Sequence, residues 1–350
     1  MDTSSQRKIL RVSPSCAISP LVGEITAALV GDGPTLGFGE ISSEYAPSYA
    51  AIAIGTSGTT GTSKEVLLSS SALISSAKAS NKFIGAQSGD TWSLLLPLTH
   101  IAAVNVIVRS MELGTTPIDL RDFEGEYPNA NYTAIVPTQL FRALNGDQLL
   151  LNHLKSTKAV LVGGAALSQT LRNQAELAGI KVITTYGMTE TCGGCVYDGT
   201  ALEGVEIEIR NGKIFIKGPV LASSISLDNG WFETNDLGEY DNNELVVLGR
   251  SDDVIISGGE NLSLNAVESS LSSAFPNSQF AAFAVQDPQW GQSLQVAVVG
   301  AISDDQITAH LEKDLGYFAK PKCIHRMTSL PLLGIGKIDR KSLAKGIANE

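Results

Sequence analysis

Apolar runs are short in this sequence and positive charge is scarce. No uninterrupted hydrophobic stretch approaches the roughly 18 residues that a membrane span needs. The opening MDTSSQRKIL lacks the apolar core of a secretory signal, and both absences point to a cytoplasmic protein. Lysine and arginine total 25 against 36 aspartates and glutamates, a net charge of -11. A surface for nucleic acid or anionic lipid needs a basic stripe, so those partners are excluded. A small anion stays open, because backbone amides and one lysine can hold it. Cysteine is as rare as histidine, four of each. Cys192 and Cys195 form a C-x-x-C, yet no second C-x-x-C or H-x-x-x-H completes a zinc set, and the pair reads as two reduced thiols in a glycine-rich loop.

What is present is a chain of 350 residues, 43% hydrophobic and 17% charged, long enough for two or more domains and a sizeable core. GTSGTTGTSK at 55–64 asks for a phosphate. It is not a P-loop, since Ser63 precedes Lys64 where that motif has glycine, and Glu65 follows. Val66-Leu67-Leu68 is too short an apolar run to open a helix, so the segment reads as strand, loop, strand, then a serine-capped helix from about Ala72.

Further along, KAVLVGGAALSQTLRNQAELAGIKVITTYG reads as a strand at 159–162, a Gly163-Gly164 turn, a helix capped by Ser168 and stopped by Gly179, and a strand at 180–185. That is a strand-helix-strand unit of a parallel sheet. Ligands of such sheets bind beyond the carboxyl ends of the strands, where Gly163-Gly164 and TYGMTE both fall. After residue 200 the pattern turns antiparallel: VEIEIRNGKIFIKG alternates around Asn211-Gly212, and a second hairpin turns near Asp241-Asn242-Asn243. Leu264, Val267, Leu271 and Ala274 recur at helical spacing, FAAFAV and LQVAVVG look like strands, and SDDQITAHLEKDLG looks like a capped helix. The boundary of this last α+β region falls at Ser251-Asp252.

Five stretches now stand in order: the threonine-rich loop, TTYGMTETCGG, WFETNDLG, GRSDDVIISGGEN and LPLLGIGKIDR. Together they resemble the acyl-adenylate-forming superfamily of acyl-CoA ligases, peptide-synthetase adenylation domains and luciferases, over about residues 50–345. Within it, LPLTHIAAVNVIVRSMELGTTP, VPTQLFRAL and TTYGMTETCGGCVYDG resemble the short actinobacterial o-succinylbenzoate-CoA ligases. The resemblance implies an α/β protein. A large N-terminal domain, residues 1–251, has layered sheets and helices with an antiparallel β portion, and a small mobile C-terminal α+β domain spans 252–350. It implies ATP, Mg2+ and CoA, and a small carboxylic acid as substrate, with an adenylate and then a thioester formed. A homo-oligomer is left open, as are other aryl or acyl acids and a carrier protein in place of CoA.

The implied roles can be assigned residue by residue. Thr56, Ser57, Gly58, Thr59, Thr60 and Gly61 would wrap the β- and γ-phosphates with Lys64 adding charge. Gly163, Gly164 and Ala165 would line the adenine, with Thr185, Tyr186, Gly187 and Met188 on its other side and Tyr186 stacked on the base. Thr189 would lie near the α-phosphate and Glu190 would bind Mg2+. Asp236 and Arg250 would hold the ribose, although Asn235 stands where the family usually has glycine. Lys337 would be the catalytic lysine delivered to the adenylation transition state. Gly258 and Gly259 would pass the pantetheine arm, and Asp252 would be the hinge. His100 matches a histidine at the acyl pocket, with Ala103 in place of the family's glycine, and Arg109 is the candidate cation for a second carboxylate. His153, His310 and His325 belong to no motif. Only 54 residues precede Gly55, fewer than the superfamily usually carries, so part of one subdomain is expected to be absent or rebuilt. That leaves two readings: a compact ligase, its pocket wall supplied elsewhere, or a binding relic that has lost activity.

Overall fold

The computed structural model describes residues 6–56, 64–257, 260–287, 291–333 and 337–348. Its chain divides into two compact units. One comprises Met1–Ala165, Ala175–Glu208 and Phe215–Glu233; the other comprises Ala166–Gln174, Ile209–Ile214 and Thr234–Glu350.

The chain opens with β1 (Gln6–Arg11), α1 (Ile18–Val30), β2 (Thr35–Phe38), β3 (Tyr45–Pro47), β4 (Ala50–Thr56) and β5 (Lys64–Ser69). These five strands make one sheet in the order β3-β1-β2-β4-β5, so the N-terminal region is a built sheet that includes the β4–β5 hairpin. Residues 50–54 of β4, the run AAIAI, are buried throughout, and such a continuous apolar strand belongs in the middle of a sheet covered on both faces. A serine caps α2 (Ser70–Phe83), as expected, but two residues earlier than read: it is Ser69, its hydroxyl accepting from the Ala72 amide at 3.2 Å.

A second sheet is built from β6 (Trp92–Leu94), α3 (Ile101–Glu112), β7 (Ile118–Asp119), β8 (Tyr132–Ile135), α4 (Pro137–Leu144), α5 (Gln148–Ser156), β9 (Ala159–Val162), α6 (Gln169–Leu177), β10 (Val182–Met188), β11 (Gly193–Tyr197) and β12 (Thr200–Ala201). Its order is β12-β11-β10-β9-β8-β6-β7. The pairs from β10 to β7 are parallel, and β11 and β12 are antiparallel. The β9-α6-β10 unit is the one read from sequence: Ser168 accepts from the Leu171 amide at 3.3 Å, and Gly179 ends the helix at φ 87°.

Next come β13 (Glu206–Arg210), β14 (Lys213–Lys217), β15 (Phe232–Asp241) and β16 (Glu244–Arg250), in that spatial order. Asn211 and Gly212 sit at φ 50° and 78°, Asn242 and Asn243 at 48° and 69°, the left-handed pairs that two-residue hairpins require. The remainder of the second unit holds β17 (Val254–Ser257), β18 (Glu260–Ser263), α7 (Leu264–Ala274), β19 (Gln279–Asp287), β20 (Gly291–Val299), α8 (Asp304–Leu315), β21 (Cys323–Arg326), β22 (Leu332–Leu333), β23 (Lys337–Ile338) and α9 (Arg340–Ala348). Leu264, Val267 and Leu271 of α7 pack with Phe280, Val296, Ile307 and Leu311 in its core. Each such side chain, fully buried, contributes roughly 1.5–3 kcal/mol. No helix among the described residues is long and apolar enough to cross a membrane.

One core histidine has a pH consequence. His153 on α5 is buried, its Nε2 is 2.8 Å from the Ser93 hydroxyl, and its ring meets Tyr127 edge-on at 5.4 Å. Burial depresses its pKa below the usual histidine range. The folded state therefore holds it neutral while the unfolded chain protonates near ~6.5. Its contribution to stability is present above that value and is lost as pH falls below it. Denaturant midpoints measured from pH 7 to 5 should fall more steeply for the native chain than for His153→Gln; equal slopes would show that His153 does not govern this window.

Candidate active site

The first unit gathers one set of the expected residues. Thr56 and Lys64 face each other at the base of the β4–β5 hairpin, the Thr56 hydroxyl donating to the Lys64 carbonyl at 2.9 Å. Ser57, Gly58, Thr59, Thr60 and Gly61 lie outside the described residues. Lys64 Nζ reaches to 3.6 Å from Glu190 Oε1, so the lysine of one motif and the acid of another meet in space although 126 positions separate their numbers, 190 less 64. The Glu190 side chain is 19% exposed against 60% for Lys64, the cation being the freer partner to turn toward a phosphate.

Around the end of β10 the backbone is crowded. A Cβ at Gly163 would stand 2.1 Å from Thr185 Oγ1, and one at Gly187 would stand 2.0 Å from the Gly193 carbonyl. Gly164 turns at φ 83°. These glycines and Ala165 follow β9 while Thr185, Tyr186, Gly187 and Met188 finish β10, whose register slips between Tyr186 and Gly187. The bulge is where the strand bends out of the ladder. Thr189 and Glu190 then enter a short 3-10 turn, Thr189–Thr191.

Thr191, absent from the sequence-based set, holds that turn. Its fully buried hydroxyl accepts from the Met188 amide at 2.9 Å and lies 2.7 Å from the Gly193 carbonyl. The threonine two residues after Thr189 was the available signal. The CGGC segment is corrected here: it is no loop, because Gly193–Tyr197 forms β11 against β10. The glycines are needed for close strand approach, and both thiols are interior. Burial pushes Cys195 up to about 12 and raises Cys192 as well, so neither is an available thiolate.

His100 stands at the N-terminal boundary of α3, six residues after the end of β6, and its side chain makes no capping hydrogen bond. Arg109 lies nine residues on, about 14 Å along the helix at roughly 1.5 Å per residue. It is 4% exposed, its Nη2 donates to the Tyr197 hydroxyl at 2.9 Å, and its guanidinium lies 5.3 Å from the centre of the Trp92 ring. Tyr197 is also 2.8 Å from the Ser80 hydroxyl. One turn nearer His100, Asn105 donates to the Cys192 carbonyl, which also accepts from Ser76 at 3.1 Å. A buried polar seam thus runs between α2, α3 and β11. Arg109 Nε and Asn105 Oδ1 have no protein partner among the described residues.

The second unit holds the other set. Asp236 and Arg250 lie opposite each other in the β15–β16 ladder, with Arg250 Nη1 3.6 Å from Asp236 Oδ1. Arg250 also grips Asp252 through two bonds of 2.7 Å, from Nε and Nη2. That fork raises the arginine's pKa and holds the Asp252 carboxyl below the usual range. Asn235 contributes its carbonyl to the Ser251 hydroxyl at 3.0 Å. Lys337 stands in β23, opposite Leu333. Gly258 and Gly259 lie outside the described residues.

Comparison with known proteins gives the family. The family model of AMP-binding enzymes matches residues 24–219, and the chain belongs to that family. It is 36% identical over 331 residues to the probable 2-succinylbenzoate-CoA ligase of Mycobacterium tuberculosis, covering 86% of this chain and 85% of the relative. Among solved structures it is similar to o-succinylbenzoate CoA synthetase from Bacillus subtilis in complex with its acyl-adenylate intermediate, at TM-score 0.72 and 26% identity over 92% of this chain and 80% of that one. The amide bond synthetase from Marinactinospora thermotolerans shares the fold, at TM-score 0.76 and 20% identity over 97% and 79%.

The Gly163–Thr185 contact gives a direct test. Gly163→Ala should destabilise the protein by about 1–3 kcal/mol through overpacking and weaken ATP binding. In a Thr185→Ala background the same change should cost markedly less, measured by chemical denaturation and nucleotide titration. An equal cost in both backgrounds would mean that this contact does not set the spacing.

Proposed function

We propose that this chain is a Mg-ATP-dependent acid-CoA ligase whose acid is o-succinylbenzoate. The observation that carries the reading is the likeness, over 86% of this chain, to a relative named for that reaction. In the first step a carboxylate oxygen attacks the α-phosphorus, the bond to the β-phosphate breaks, and pyrophosphate leaves. In the second the CoA thiol, giving up its proton, attacks the acyl carbon and AMP leaves.

Glu190 fits a magnesium ion of the kind that binds one carboxylate and completes its shell with phosphate oxygens and water. No group of three or more His, Cys, Asp or Glu among the described residues suggests an all-protein cage. The ion would neutralise charge on the departing pyrophosphate. Lys64, loosely held by Glu190, turns its charge to the phosphates. Tyr186 stacks on the adenine, Gly163, Gly164 and Ala165 leave room for its flat ring, and Thr189 donates toward the α-phosphate. Asp236 accepts the ribose hydroxyls while Arg250 donates to them, which draws Arg250 from Asp252. Residues 252–350 move about Asp252, first delivering Lys337 for adenylation and then Gly258 and Gly259 for the thiol. The acid enters past His100, and its second carboxylate meets Arg109 at the inner end of the seam, where an unpartnered Nε supports a donor role.

Mass spectrometry of products after incubation with Mg-ATP, CoA and a panel of o-succinylbenzoate, benzoate, acetate and a medium-chain fatty acid tests the reading. The o-succinylbenzoyl thioester with AMP is expected. A thioester of another acid alone would overturn the substrate, and AMP from none of them would overturn the ligase reading in favour of a binding relic. Arg109→Ala should raise KM for the diacid about 10–100-fold, the scale of one charge-assisted hydrogen bond, while sparing a slowly used monoacid. Equal losses for both acids would remove Arg109 from the substrate site.

A further inference from the structure

Lys337 stands on a ribbon too small to hold its own shape. β22 and β23 are two residues each, with Leu332 opposite Ile338 and Leu333 opposite Lys337, and an isolated two-stranded ribbon is marginal in water. The residues just beyond the ribbon supply the rigidity. The Asp339 amide donates to the Pro331 carbonyl at 2.9 Å, closing the ribbon at its open end. The Asp339 carboxylate accepts from the Ser342 amide at 3.0 Å and the Ser342 hydroxyl at 2.6 Å, fixing the first turn of α9. Leu343, one turn further, is buried against Ala281, Phe283 and Ala297.

Arg340 adds three attachments on three different segments. Its Nε donates to the Ala282 carbonyl at 2.8 Å, its Nη2 to Glu268 Oε2 at 2.8 Å, and its Nη1 to Asp253 Oδ2 at 3.4 Å. Glu268 Oε1 accepts from the Ala282 amide at 2.8 Å, so a fully buried residue of β19 is bracketed at its amide by the glutamate and at its carbonyl by the arginine. Exposed ion pairs contribute little, but these side chains are 25% and 14% exposed and share a backbone residue between them. Only a planar fork of N–H donors meets three acceptors in this arrangement, and lysine cannot.

We propose that Arg340 is a positioning residue for adenylation, locking the Lys337 ribbon to α7, β19 and the Ser251–Asp253 turn so that the lysine is carried as part of a rigid body. This rests on the reading of Lys337 as the delivered lysine. Its attachment to Asp253, the neighbour of Asp252, ties the ribbon to the segment on which the chain is expected to pivot. A group that acts on a transition state loses much of its effect when displaced by about 1 Å, whereas the thioester step does not use it.

The test separates the half-reactions. Arg340→Met should lower kcat for pyrophosphate release by on the order of 10–100-fold, with KM for ATP and acid held within about threefold. Thioester formation from supplied acyl-adenylate should stay within about threefold of the native chain. On a Lys337→Ala background the same change should cost no further adenylation, because it acts through the missing lysine. Equal losses in both half-reactions, or an undiminished cost on the Lys337→Ala background, would overturn the proposal. A Lys337→Ala chain that adenylates as fast as the native one would overturn the delivered lysine itself, and this proposal with it. Should Arg340→Met not fold by circular dichroism, Glu268→Gln in the same cycle carries the same criteria.

Discussion

The end of β10 is packed so closely that its glycine backbone leaves no room for a Cβ, and most of what surrounds the candidate site depends on that. Gly163, Gly187, Gly193 and Gly194 each stand where a Cβ would come within 3 Å of a neighbouring atom, three of them within 2.2 Å. Close approach sets the Gly187 backbone directly against Gly193, while the side chains of Thr185, Asn105 and Tyr197 fill the space a Cβ would need at Gly163, Gly193 and Gly194. The Thr191 hydroxyl then ties the turn back on itself, so Glu190 projects from a braced turn rather than a free loop. The Glu190 carbonyl accepting from the Ala222 amide at 2.8 Å braces it from another side.

Charge is handled by exchange of partners. In a chain of net charge -11, the cations assigned to the nucleotide are already paired: Lys64 with Glu190, and Arg250 with Asp236 and Asp252. A bound anion therefore competes with a carboxylate for each cation. The two cases differ in strength. Lys64 sits at 3.6 Å from its acid and is mostly exposed, so solvent already screens the pair. Arg250 makes a two-bond fork with Asp252, and bidentate geometry holds more firmly. Under the proposed function, turning Arg250 toward a ribose would release Asp252, the proposed hinge, from its two-bond fork.

Local chemistry made much of this legible in the sequence. Serine caps at 168 and 303, and the Asn211-Gly212 and Asn242-Asn243 turns, each require only the residue and its immediate neighbours and are found where the pattern placed them, while the helix read from about Ala72 begins two residues earlier, at Ser70 with Ser69 as its cap. Gly193-Gly194 misled because glycine is as suited to a close-packed strand as to a loop, and only the neighbour that would collide, Asn105 or Tyr197, decides between them. The partners of Arg109 were equally out of reach. Tyr197 and Trp92 come from two separate strands, with Ser80 of a helix bonded to Tyr197 in turn, and no periodicity in the chain ties them together.

That seam also bears on why fold and substrate are separable in this protein. An amide bond synthetase and a succinylbenzoate-CoA synthetase match the chain with nearly equal TM-scores, 0.76 and 0.72, so the scaffold alone does not select an acid. In the proposed function the β10 end and the Asp236–Arg250 pair are assigned to the nucleotide, the reactant common to adenylating enzymes. Selection must come from residues that the nucleotide does not touch. Between α2, α3 and β11 the core abandons apolar packing for Ser76, Ser80, Asn105, Arg109 and Tyr197. A buried cation in such a place is retained against a desolvation cost of several kcal/mol, and hydrophobic residues of like volume often serve stability as well or better. A polar device held at that cost in an otherwise apolar interior is consistent with the proposed recognition of a second carboxylate by Arg109.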